Sequence, residues 1–403
     1  MRAPLLYSLL ILGLVLASCQ EARNLGPDPA DVFVKYYGGG FDQEAVSLIK
    51  EASAFTLLGN TQLNSLSEIP KAILIWTDEG GNEIASRTVE PQANYDFSLS
   101  TAMRLQNETY YLAGTAYKGT NSDIWVTVQD KSGSRVLAND FLFGSPSFQE
   151  EAADLESLAD GSFLLLGTTS DIDTNKLEGL PPTNDSSDIL LLKVSQNGDE
   201  LWQKKMGYSG TDIGLKLHSL GDENFILLGN SRIAGRNEIF LALVNSDGNV
   251  FNTRNLNPGT NNRAIGLSHH GGFIYVSGAV DGRSYLAKLD LQLNVDWEYS
   301  LGLPSSSFGA AEINSVAVTD EGNLLLSASV FQQEKGLQAV AHMIDAAGKD
   351  LWPEALFFGA NEDDRAVKAL AVGPDRNLLL GSFGFGSNRM IGLLKFSASG
   401  LRQ

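Results

Sequence analysis

The residues that commonly carry covalent chemistry are sparse in this sequence. Among 403 residues there is one cysteine, Cys19, and there are four histidines, His218, His269, His270 and His342. A lone cysteine leaves no internal disulfide framework and no cysteine-based zinc site, and no disulfide-linked partner is expected. His269 and His270 are adjacent, ahead of Gly271-Gly272, and adjacent rings in a turn rarely share one metal; surface roles are expected for them. No G-x-S-x-G, H-E-x-x-H or phosphate-binding P-loop occurs. The segment Asp171-Ile172-Asp173-Thr174-Asn175 opens like a D-x-D-x-[DN] calcium loop. Lys176 stands where the sharp turn needs glycine, however, and Pro182 where the twelfth ligand belongs. A solvated loop is expected there, with calcium as the alternative and no other cofactor.

Carboxylates are the abundant reactive type. A polar residue, usually acidic, lies at or just before the first strand of each of seven similar segments: Asp42, Asp96, Glu151, Asp212, Asn262, Glu312 and Asp364. Around a common axis they would form a ring able to hold a cation or a cationic ligand. Alternatively, each ties its segment to the next by accepting backbone N–H groups, and that is the expected role. A carboxylate pair suited to glycoside cleavage is compatible with the sequence, since spacing along the chain says little across repeats. Tyr117, Tyr208 and Phe308 fall in or near connecting loops and are candidates for an aromatic binding rim. The five tryptophans recur at strand positions and are expected to be core anchors.

The N-terminus reads as an address. Arg2 is followed by an apolar run from Leu5 to Leu16 and then Ala17-Ser18-Cys19, the layout of a secretory signal. Twelve helical residues span roughly 18 Å, short of the ~30 Å hydrocarbon core, so a permanent span is not expected. Leu16-Ala17-Ser18-Cys19 resembles the lipobox of bacterial lipoproteins. That resemblance implies diacylglycerol on the Cys19 thiol, cleavage before it and acylation of the new amino group, with palmitate-type chains as the membrane anchor. Gln20, where some lipoproteins carry an aspartate for inner-membrane retention, points by the same resemblance to the outer membrane. Residues 20–30 (QEARNLGPDPA) form a polar, proline-stiffened tether reaching up to roughly 35 Å.

The formal charge is −19, and loss of a leader whose one charged residue is Arg2 makes it −20. No lysine- or arginine-rich run exists, so a nucleic-acid partner is not expected. Hydrophobic content of 43% with 41 glycines suits a folded, turn-rich chain.

Self-similarity sets the architecture. A buried-strand signature ending in glycine or serine recurs seven times, as in Phe163-Leu164-Leu165-Leu166-Gly167, Phe225-Ile226-Leu227-Leu228-Gly229 and Asn323-Leu324-Leu325-Leu326-Ser327. Successive copies are 55, 53, 62, 49, 49 and 54 residues apart, a period that marks one repeated supersecondary unit. Each unit reads as four strands. The first alternates, the second carries the signature, the third is apolar, and a fourth often carries tryptophan (Trp202, Trp297, Trp352) after an Asn-Gly or Asp-Gly type turn. Such units arranged radially make an all-β, seven-bladed β-propeller over residues 32–403, after a leader (1–18) and a tether (19–31). The last unit lacks a fourth strand, while Val32–Gly38 reads as an orphan one. The N-terminal strand is therefore expected to complete the last blade and close the ring.

Connections between second and third strands are expected to be long and dissimilar (Thr61–Pro70, Ser170–Ser187, Ser231–Asn237, Phe331–Leu337), which makes one face varied and suited to recognition. Around Val194–Trp202 and Ile344–Trp352 the repeat resembles quinoprotein-like propellers, a group that includes an outer-membrane assembly lipoprotein, and the repeat-propeller lipoproteins of Bacteroidota. No quinone-binding residue is matched. The function expected is a non-catalytic binding or scaffold module engaging a protein or glycan through the varied face. A polysaccharide-acting hydrolase or lyase with its site at the channel mouth is the alternative. Three or more ionisable groups converging in a deep channel would favour the enzyme, and a shallow aromatic rim would favour binding.

Overall fold

The computed structural model describes residues 32–64, 69–89, 95–137, 140–172, 187–359, 363–373, 376–397 and 399. Cys19 and the tether lie outside them. The described chain forms seven four-stranded antiparallel sheets, ordered sequentially from the inner to the outer strand. Blade 1 starts with the inner strand Glu44–Lys50, and blades 2 to 7 with Phe97–Gln106, Glu150–Ser157, Asp212–Gly221, Asn262–His270, Phe308–Val318 and Arg365–Ala371.

Closure is as expected. Phe33–Tyr37 is the outer strand of blade 7, paired antiparallel to Asn388–Ser397 with Phe33 opposite Lys395 and Tyr37 opposite Ile391. The Tyr37 hydroxyl donates to Gly81 O of blade 1 at 2.7 Å, so the chain's first strand also bridges the last boundary.

Burial follows position in the blade. Second and third strands are apolar along their length because both faces are covered, as in Phe225–Gly229 and Ile239–Val244. Outer strands are largely exposed, as in Val250–Leu256. The buried apolar residues form clusters that each span two adjacent blades, and all seven boundaries have one. The fold is thus a ring of sheet-on-sheet contacts around an axis rather than one central core.

Polar stitching repeats with the blades. The N–H groups of Ala45, Ser100, Ala152, Gly214 and Ala264 each donate to a side-chain oxygen on the second strand of the preceding blade: Ser382, Asn60, Thr115, Thr168 and Asn230. These N–H groups lie at a β-bulge present in every inner strand. The bulge frees an N–H from its own ladder, and the neighbouring blade satisfies it. The turns between third and outer strands share another device. In Asp78–Asn82, Asp130–Ser134, Asn245–Asn249, Asp290–Asn294 and Asp345–Lys349, the first side chain accepts the N–H of the fifth residue. The aspartate and glycine of the repeat are therefore turn chemistry.

Two local expectations change. The second strand of blade 4 runs to Ile233 and the third restarts at Arg236. The connection is only Ala234-Gly235, with φ of 49° and 83°, a tight hairpin turn. In blade 6 only 333–335 intervene. The β-pairing continues past the signature residues, so long connections remain only in blades 1 and 3, where 65–68 and 173–186 lie outside the described residues. In blade 6, Trp352 precedes the outer strand, which is the short Leu356–Phe358. Pro353 lacks the N–H needed to continue a ladder, and Trp352 turns inward to pack edge-on against His342 and Phe396.

Candidate functional site in the central channel

The seven inner strands enclose a channel of about 950 Å³. Every inner strand enters it from the face carrying the second-to-third-strand connections, here the upper face, and the bulge decides which side chains point inward. The residues immediately after the bulge are Ser47, Ala102, Asp154, Lys216, Gly266, Ser315 and Lys368 in blades 1 to 7. Two residues further stand Ile49, Arg104, Glu156, His218, Ser268, Ala317 and Leu370. Small or apolar residues fill most of both rings. The charges gather on blades 2, 3 and 4, with Lys368 coming from blade 7.

Arg104 is the hinge of this cluster. Its Nη2 lies 3.0 Å from Asp154 Oδ1 and 3.3 Å from Glu156 Oε1. Burial works against its charge, but the Asp154 and Glu156 carboxylates hold the guanidinium above its ordinary range. Asp154 Oδ2 also accepts the Leu217 N–H at 3.2 Å, so blades 2, 3 and 4 meet at one carboxylate. Burial pushes Glu156 up against the pull of Arg104. His218 Nδ1 is 3.6 Å from Glu156 Oε1, and its ring centroid is 6.1 Å from that of His269. Burial lowers both imidazoles, with Arg104 adding to the effect at His218 and His218 adding to it at His269. Lys368 donates to Leu48 O at 3.0 Å. Burial pulls it down to about 8, reinforced by Arg104 and Lys216.

The upper mouth carries a second network. Arg389 Nη1 is 3.1 Å from Glu44 and 3.3 Å from Asp363, and its Nη2 is 3.8 Å from Asp42. Arg365 pairs with Asp363 at 2.9 Å, and Arg263 pairs with Glu312. The mouth is of mixed sign.

The seven ring candidates occupy different roles. Asp212, Asn262 and Asp364 are essentially buried. They accept the backbone N–H groups of Tyr208 (2.7 Å), Gly259 (2.9 Å) and Gly384 (2.7 Å). Asp42 accepts the Arg389 N–H and Asp96 the Gly119 N–H, at 2.8 and 2.7 Å. Glu151 is exposed; its inner-strand neighbour Glu150 is the buried residue that accepts the Ser145 N–H. Only Glu312 lines the channel. The aromatic candidates lie apart from one another, in blade 2, at the boundary of blades 3 and 4, and in blade 6. Tyr117 stacks on Phe97 at 4.6 Å, Tyr208 packs edge-on to Phe240 at 5.8 Å, and Phe308 stacks on Phe357 at 5.3 Å. Asp171 takes Lys205 Nζ at 2.6 Å, while Asp173 and Asn175 lie outside the described residues. Among the described residues no group of three or more histidine, cysteine or acidic side chains is placed to hold a metal.

His269 and His270 end an inner strand rather than forming a turn, and His218 faces the channel. Arg104, Asp154, Glu156, Lys216 and Lys368 are the residues that sequence reasoning passed over. Each has an apolar neighbour beside it along the strand, as in Met103-Arg104-Leu105 and Asp154-Leu155-Glu156. Their signal is a shared offset from the strand signature across repeats.

No family model matches the chain, and no curated protein matches it in sequence. In three dimensions it is similar to the solved Dos1 propeller, at 10% identity over 90% of this chain and 94% of that one, with a TM-score of 0.51. It is also similar to the phage phi92 endosialidase, at 8% identity over 91% of this chain and 69% of that one, with a TM-score of 0.52. Likeness at this identity shows the fold, and the chain is a seven-bladed β-propeller.

Proposed function

We propose that this chain is a ligand-binding propeller held at the bacterial outer membrane by lipid on Cys19, with the central channel as the seat for a glycan or for a segment of a protein. One observation carries the channel reading. Ionisable groups from blades 2, 3, 4 and 7 converge in an interior of about 950 Å³, within the size range of ligand sites. The aromatic candidates, by contrast, are dispersed, each packed against a different ring. With only two long connections left between second and third strands, the channel offers the more distinctive chemistry. Glycan arrays and peptide libraries applied to the intact protein test this reading. Ligands retained by the native chain and lost on Arg104→Met, with the variant shown by its thermal melt to be folded at the assay temperature, support it, whereas ligands indifferent to every channel substitution overturn it. The anchor is tested separately, by incorporation of a labelled fatty acid that Cys19→Ser abolishes.

Converging ionisable groups in a deep channel are the feature expected to favour an enzyme, so the hydrolase or lyase reading has its own support. It stands second because Asp154 and Glu156 are both engaged by Arg104. Glu156, pushed up by burial, stands beside Asp154 and His218, a set able to give and take protons in hydrolase or lyase chemistry. Turnover of a glycan by the native chain, absent in Glu156→Gln, would establish it.

A further inference from the structure

Resting on the channel as ligand seat, the geometry points to an anionic ligand: we infer that Lys216 and Lys368 form an anion subsite that takes the carboxylate of an acidic sugar residue. A protein with a formal charge of −19 has no general need to place cations in its interior, yet here they outnumber the acids. Arg104, Lys216 and Lys368 face the channel with only Asp154 and Glu156 as carboxylates at the same level. Both carboxylates are already engaged, by Arg104 and, for Asp154, by the Leu217 N–H. Neither is paired with a lysine.

The two lysines hold equivalent positions, each directly after the bulge of its inner strand, both line the same channel, and Lys368 feels the charge of Lys216. Lys368 donates to one backbone carbonyl, Leu48 O, which leaves two of its three ammonium protons uncommitted. The Lys216 side chain has neither a hydrogen bond nor an ion pair among the described residues. Two like charges set toward one cavity repel until an anion comes between them, and such charge-assisted contacts are the strong ones. His218 and His269, both lowered by burial, stay neutral near pH 7 and can hydrogen-bond sugar hydroxyls without competing for the anion. A ring of mostly small and apolar residues at these levels (Ser47, Ala102, Gly266, Ser315) leaves room for a sugar ring.

Calorimetry on the intact protein with three probes decides the matter: an oligoglucuronate, the oligoglucose of equal length, and inorganic phosphate. The expected result is binding of the oligoglucuronate but not the oligoglucose, weakened ~10-fold or more by Lys216→Met and by Lys368→Met. Lys204→Met, on the outer strand of blade 3, should leave binding unchanged, and thermal melts of all variants confirm that the ring is intact. Equal binding of the acidic and neutral sugars would keep the channel as ligand seat and overturn the anion subsite. Phosphate binding with the same lysine dependence, in the absence of oligoglucuronate binding, would keep the anion subsite and replace the uronate by a phosphate group. Absence of binding to all three would overturn the inference, while channel-dependent retention of peptides or other glycans would leave the broader reading standing.

Discussion

The indole of Trp202, on the outer strand of blade 3, lies directly against the Cα of Gly248, in the turn before the outer strand of blade 4. A Cβ at position 248 would sit 2.6 Å from Trp202 Cη2. The same pairing of an aromatic ring with the next blade's turn glycine recurs as Trp76 with Gly133, Phe141 with Gly198, Trp297 with Gly348 and Phe33 with Gly81. Each glycine also has a positive φ, from 71° to 88°. The turn that sets up the outer strand thus doubles as the socket for its neighbour.

Gly248→Ala should therefore be penalised twice, by its left-handed backbone and by the indole. The expected loss is roughly 2–4 kcal/mol. Gly271→Ala supplies the comparison, since its φ is 59° but nothing lies within 4 Å of the added methyl, so only about 1 kcal/mol should go. Urea denaturation of the two variants reads the difference; equal losses would remove the indole from the account.

Blade 4 breaks the pattern and compensates for it. At the position of Trp202 its outer strand has Asn252, and the next blade's turn has Leu293 where glycine stands elsewhere. Leu293 keeps the positive φ, 66°, and is fully buried. The leucine fills the volume that an aromatic ring would have occupied. Leu293→Ala should cost about 2–5 kcal/mol. Asn252→Trp alone should destabilise by collision with Leu293, and adding Leu293→Gly should rescue it, giving a coupling of at least about 1 kcal/mol in a double-mutant cycle. Additive effects would contradict the exchange.

How much was readable beforehand follows from this geometry. Blade number and closure were legible because local patterns carry them: the signature strand, the Asp-x-x-Gly turn, and an orphan N-terminal strand that matches the fourth strand missing from the last unit. The ring of Asp42, Asp96, Glu151, Asp212, Asn262, Glu312 and Asp364 was only partly legible. A strand reverses its facing with every residue, and a bulge shifts it again. Glu150 and Glu151, adjacent in sequence, consequently differ in burial and role. Arg389 meets Asp42 from 347 positions away. Contacts of that kind depend on how the ring closes and leave no trace in spacing.

Arg104 ties blade 2 to blade 3 through two carboxylates that are almost fully out of solvent, with side-chain exposures of 4% for Asp154 and 12% for Glu156. Removing the guanidinium leaves both acids with no cation in contact. Arg104→Met should lower stability by roughly 3–5 kcal/mol at neutral pH. The loss should shrink as pH falls toward 4 and Glu156, which burial pushes up, protonates, because a neutral acid no longer needs the arginine. Unfolding midpoints between pH 4 and 7 check this; a deficit independent of pH would mean that the arginine acts by packing alone.

Lys368 gives the opposite sign. Its amine has an ordinary value of 10.5 and is pulled to about 8 by burial and by Arg104 and Lys216. Between these values the unfolded chain binds more protons than the folded one, so stability should climb as pH rises through this window. Below pH 8 the lysine is charged in both states and its full penalty applies, an upper bound of roughly 3 kcal/mol. Lys368→Met should remove that penalty, stabilising the protein below pH 8 and flattening its pH dependence between 8 and 10.5 relative to the native chain. Denaturant midpoints for the two proteins across this range test the sign, and parallel curves would refute it. A substitution that strengthens the fold while weakening acidic-sugar binding separates the two roles of this residue. In that outcome the lysine stands in the channel at a cost to stability, which binding of the proposed anion would explain.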